Sequence, residues 1–79
     1  NIKLKYVKII KNKHINMFCS NDLDEKIKAI CFNAVNTPLG DNILNSINRH
    51  IHIAGSVKRD NFANNNIAYI VVKDAVSFD

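Results

Sequence analysis

The sequence predicts an all-β domain with one helix, its elements running β-β-β-α-β-β. Five short runs alternate apolar and polar residues with the period of a strand. One run between the third and fourth of them shifts to a period near 3.6, and polar turns rich in Asn, Asp and Lys break up the series.

Residues 2–10 (IKLKYVKII) set Ile2, Leu4 and Tyr6 against Lys3 and Lys5, and the alternation slips between Tyr6 and Ile10, as in a strand with a bulge or bend. The polar turn KNK leads into residues 14–20 (HINMFCS), where Ile15, Met17 and Cys19 face one way and His14, Asn16 and Phe18 the other, completing a hairpin. After the acidic turn NDLDE, residues 26–33 (KIKAICFN) place Ile27, Ala29 and Cys31 opposite Lys26, Lys28, Ile30 and Phe32. The three runs form a meander.

Leu39, Ile43, Leu44 and Ile47 then share one stripe of a helix over roughly 38–49, with Thr37 and Pro38 as cap and first-turn residues, or Asp41 as a later cap. Residues 51–58 (IHIAGSVK) direct Ile51, Ile53, Gly55 and Val57 inward, RDNFANNN reads as a loop, and residues 67–74 (IAYIVVKD) are a strongly β-prone last strand.

Five strands of about eight residues close a small barrel without open edges, the helix covering one end with Ile43, Leu44 and Ile47. Gly55 suits a strand that must coil sharply. This order, with a bent first strand, is that of the OB-fold, a five-stranded Greek-key barrel. An open α+β sandwich is the other architecture these elements allow.

Composition bounds the function. With 79 residues the chain is one domain, residues 1–79, and it reads as excised from a larger protein. A chain this short buries only about 60–65% of its unfolded surface, so a deep substrate cavity and a small-molecule substrate are not expected. A formal charge of +4 with 47% hydrophobic residues describes a folded, basic domain. Asn, Ile and Lys dominate, as in the amino-acid drift of an A+T-rich genome, so part of the charge reflects that bias. No apolar run is long enough for a membrane span and no secretory leader opens the chain, which leads to the expectation of a cytoplasmic protein with no membrane partner.

Cys19 and Cys31 stand twelve apart without a CxxC and fall in alternating apolar runs, as two reduced core residues do. His50 and His52 form an HxH with no third ligand in sight, and Asp22, Asp24 and Glu25 sit in a turn that they solvate. No catalytic residue, metal ligand or cofactor is expected in this chain.

Three stretches, NKHINMFCS, KIKAICFNA and HIAGSVKRDNFANNNIAYIVVKDA, resemble the OB domain of the bacterial single-stranded-DNA-specific exonuclease RecJ, over nearly the whole chain. The matching places are His14 after the tight turn, Ala29 to Phe32, Ala54 to Lys58, Asp60 to Phe62, and Asp74 with Ala75. Phe62 stands where the family carries Trp. The resemblance implies a parent that hydrolyses single-stranded DNA from 5′ to 3′ in recombination and repair, with Mg or Mn held on its phosphoesterase domains. It also implies two partners for this domain: single-stranded DNA and the catalytic domains of the same polypeptide.

An OB barrel offers unpaired nucleic acid the outer face of its second and third strands, bounded by loops. Cations replace counterions along the phosphates, and flat side chains stack bases. The residues expected to do this are Lys11, Lys13, Lys26, Lys28, Lys58 and Arg59 on phosphate and Phe18 and Phe62 on bases, with a lesser part for His14. Lys3 and Lys5 lie off this surface, and Phe32 is read as structural. The alternative functions are an interaction module docking to the parent's catalytic domains or a partner protein, and an RNA-binding OB domain.

Overall fold

The lysine-rich first run forms β1 (Ile2–Ile10), which pairs antiparallel with β2 (His14–Asn21), and β2 pairs antiparallel with β3 (Lys26–Cys31). The computed structural model describes residues 2–60 and 67–77. Within them follow α1 (Pro38–Leu44), β4 (His50–Asp60) and β5 (Ile67–Ser77). The strands close a barrel in the order β1-β2-β3-β5-β4, parallel between β3 and β5 and antiparallel elsewhere. That is the strand order of an OB-like barrel.

Alternation dictates the interior. Ile15, Met17 and Cys19 on β2 and Ala29 and Cys31 on β3 are buried, as their spacing requires, and Leu4, Ala34, Ile43, Ile51, Val72 and Ala75 complete the cluster. Every one of these side chains is aliphatic or sulfur-bearing, so among the described residues the buried core is filled without aromatics. The cysteines are free thiols within it. Burial pushes the Cys19 thiol up to about 11 and raises Cys31 as well, which keeps both protonated near neutrality and unsuited to attack as nucleophiles.

A bulge in β1 departs from simple alternation. Leu4 lies opposite Cys19 and Tyr6 opposite Phe18, which leaves Lys5 as the extra residue. The parity of β1 reverses there: Leu4 points inward, but Tyr6 is turned out and 58% exposed, on the face of Phe18 rather than with Ile2 and Leu4. A second shift, between Ala54 and Gly55 on β4, leaves Lys73 as the extra residue of β5.

Beyond that second shift the expected inward register of β4 fails. β4 pairs with β1 at His50 and Ile51, and β3 with β5 at Ala29–Ile70 and Ile30–Val71, so the far halves of β4 and β5 run on as a two-stranded ribbon whose β4 edge has no strand beside it among the described residues. Val57 is 69% exposed there, and Gly55 is exposed too. Gly55 is nevertheless needed for close approach, because a Cβ at that position would run into the Val71 carbonyl oxygen.

Helix α1 begins where Thr37 and Pro38 indicate. The Thr37 hydroxyl accepts from the Gly40 amide at 3.0 Å and donates to the Ala34 carbonyl at 2.6 Å, and Pro38 occupies the first turn. The helix stops at Leu44, short of the expected residue 49. Asn45, Ser46 and Asn48 divert the backbone into turns: the Ser46 hydroxyl donates to the Asn42 carbonyl, Arg49 N–H to Ser46 O, and Asn48 adopts a φ of 67°. Ile47 still packs against the core from this turn.

Asparagine has a conformational use that composition alone conceals. Six non-glycine residues among those described adopt positive φ, and four of them are Asn12, Asn33, Asn36 and Asn48. Asn tolerates the left-handed region better than most residues because its short side chain bonds locally. In the three-residue β1–β2 turn Lys11 and Asn12 are both left-handed, and the Lys13 amide donates to the Ile10 carbonyl at 3.0 Å.

Candidate nucleic-acid interface

The outward face of β2 carries His14, Asn16 and Phe18 in line, and that of β3 carries Lys26, Lys28 and Ile30. The bulge at Lys5 adds Tyr6 to this surface. The rings of Tyr6 and Phe18 stack with centroids 4.5 Å apart and planes 13° from parallel, a two-ring platform on the outside of the barrel. Lys28 lies opposite Phe18 on the neighbouring strand.

A surface cleft of about 470 Å³ runs beside this platform. Lys5, Tyr6, Phe18, Lys26, Lys28 and Asp24 line it. The cleft exists because β3 and β5 pair over so short a seam: below Ala29 the two strands part, and Ala68 of β5 forms the opposite side. Three ammonium groups beside an exposed ring stacked on a half-buried one suit an anionic polymer with flat, unpaired bases.

Of the residues expected from sequence, Phe18, Lys26 and Lys28 come together at this cleft. Lys11, Lys13 and His14 do not line it; they lie at the other end of the hairpin, about 13 Å of strand from Phe18. His14 is partly committed, since its Nδ1 accepts from the Asn33 amide at 3.0 Å and its ring meets Phe32 edge to face. Phe32 itself is 50% exposed. Between His14 and Phe18, Asn16 keeps its Oδ1 buried without a hydrogen-bond partner. Lys58 and Arg59 are exposed on the ribbon, opposite Tyr69 and Ala68, and do not line the cleft. Phe62 lies outside the described residues.

Tyr6, Lys5 and Asp24 are cleft residues that sequence reading assigned elsewhere. The slip of alternation between Tyr6 and Ile10 signals a bulge in β1, but the bulge falls before Tyr6, at Lys5, and so turns Tyr6 to the other face. Asp24 has no such signal. Its position follows from how Asn21 folds the β2–β3 turn: Asn21 Oδ1 accepts from the amides of Leu23 and Glu25, and its Nδ2 donates to Glu25 Oε1.

Away from the cleft, Asp74 Oδ1 accepts from the Ala75 amide, a strand-end backbone contact. Among the described residues no three His, Cys, Asp or Glu side chains gather as a metal site, and no helix is long and apolar enough to cross a membrane. Compared with protein-family models, with curated proteins and with solved structures, the chain matches none.

Proposed function

We propose that this domain binds single-stranded DNA without cleaving it, as the OB domain of a RecJ-like 5′-to-3′ exonuclease of recombination and repair. One observation carries the binding reading: the stack of exposed Tyr6 on half-buried Phe18 beside Lys5, Lys26 and Lys28 in a surface cleft of an OB-like barrel. The link to the exonuclease rests on the residue runs quoted above. In this reading a base stacks on the ring platform, the lysines take the flanking phosphates, and duplex is excluded because its bases are already stacked. The domain holds the strand for the parent's catalytic domains, where Mg or Mn and the hydrolytic chemistry reside.

Titration of a fluorescent oligonucleotide tests this. Three phosphate contacts give a slope of log affinity against log salt of about −2, and replacing Lys26 and Lys28 with Ala reduces it by roughly 1.4. Duplex binds at least about fivefold more weakly, the loss of one stacked base. Affinity indifferent to salt, or equal for duplex, contradicts the proposal.

The placement of Lys58 and Arg59 favours a second reading for those residues alone. They do not line the cleft: they stand with exposed Val57 on β4, the outer strand of the ribbon, with Arg59 opposite the cleft residue Ala68, and there they suit docking to another protein domain. In the same titration, reversing both to Glu weakens binding less than reversing Lys26 and Lys28.

A further inference from the structure

We propose that the cleft selects guanine and that the Asp24 carboxylate is the group that reads it; this deepens the single-strand reading above and rests on it. The observation is a charge of the wrong sign. A cleft that served phosphate alone would gain from Lys5, Lys26 and Lys28 and lose from a carboxylate among them, yet Asp24 lines the same cleft.

Asp24 is not needed to hold its own turn. Asn21 does that, through its side-chain bonds to Leu23 and Glu25 and through its backbone, whose carbonyl accepts from the Asp24 amide at 3.0 Å. No hydrogen bond or ion pair joins the Asp24 carboxylate to another described residue. Both oxygens are therefore available to a ligand.

An ionised carboxylate only accepts hydrogen bonds. Guanine presents two adjacent, parallel donors, N1–H and the N2 amine, which match two carboxylate oxygens. Cytosine and adenine place one amine beside a ring nitrogen that repels a carboxylate, and thymine sets one N–H between two carbonyls. Guanine also carries O6 and N7, acceptors that an ammonium group such as that of Lys26 can meet. Phe18 and Asp24 line the same cleft, so a base stacked at the ring platform has the carboxylate in the same space.

The test uses five-nucleotide DNA strands, all thymine except for a central guanine, hypoxanthine, cytosine, adenine or thymine, titrated by fluorescence anisotropy. The guanine strand is expected to bind about fivefold or more tighter than the all-thymine strand, the discrimination of one good bidentate contact. Hypoxanthine, which lacks the N2 amine, loses most of that gain. Asp24→Asn keeps a residue that tolerates the φ of 63° at this position, so the turn survives, and a thermal melt checks it. In this variant the guanine preference disappears while the all-thymine strand binds as well or better.

Equal binding of all five strands by the unaltered chain overturns guanine selectivity and leaves single-strand binding standing. A preference that survives Asp24→Asn overturns the role of Asp24. Failure of every strand to bind overturns the single-strand reading, and this inference with it.

Discussion

Replacing either Tyr6 or Phe18 with alanine lowers affinity for a short single-stranded oligonucleotide about five- to 150-fold, the equivalent of one base stack at roughly 1–3 kcal/mol. The two rings lie 4.5 Å apart and nearly parallel, so they form one platform and not two. The double variant therefore loses little beyond the larger single loss, a non-additivity expected of residues in contact. Fluorescence anisotropy reads the affinities, and thermal melts separate them from folding. The ring pair itself contributes about 0.5–1.5 kcal/mol to stability, and Tyr6 is mostly in solvent, so the variants remain folded. Unchanged affinity in both single variants removes the platform from the binding account.

Gly40→Ala destabilises the domain by about 2–4 kcal/mol, the reverse of what helix propensity suggests. Alanine inside a helix ordinarily gains about 1 kcal/mol over glycine. Here a Cβ would run into the Ala34 carbonyl oxygen and sit 3.4 Å from the Ile15 side chain. The Ala34 carbonyl cannot yield freely, because it accepts from both the amide and the hydroxyl of Thr37, the helix cap. Moving it adds the loss of a cap, about 1 kcal/mol, to an overpacking cost of about 1–3 kcal/mol. A domain of 79 residues has only roughly 4–12 kcal/mol in total. Urea denaturation checks this: the midpoint falls with little change in slope. A midpoint that rises contradicts the packing described for α1.

How far the sequence reveals the fold depends on whether the information is local. Strand alternation and the Thr37–Pro38 cap are local, and they place all six elements within a few residues of their positions, except at the ends of α1, β4 and β5. Register is a property of pairs of strands. The slip between Tyr6 and Ile10 announces a bulge but not where it falls, and its actual place between Leu4 and Tyr6 decides whether Tyr6 joins the core or Phe18. Val57 alternates like a buried residue, but among the described residues β4 pairs with β1 at His50 and Ile51 alone, and Val57 lies past that seam, a tertiary fact that leaves its side chain exposed.

The candidate site divides along the same line. Phe18, Lys26 and Lys28 share a face by simple parity on neighbouring strands, so they could be read together. Lys11 and Lys13 also belong to a neighbouring turn, but the length of the hairpin carries them away from the cleft. Asp24 reaches the cleft through the Asn21 turn, whose geometry depends on side-chain bonds that no periodicity encodes.

The most direct test of the central claim, that the β1–β3 face beside Tyr6 and Phe18 holds a single strand, is an amide NMR titration with a short oligonucleotide. The largest shifts are expected at Tyr6, at Phe18 to Ser20, at Asp24 to Lys28 and at Ala68, the residues around the cleft. Shifts confined to Val57, Lys58 and Arg59 on the ribbon, or to Lys11, Lys13 and His14 at the far turn, would contradict it, as would no shift at all.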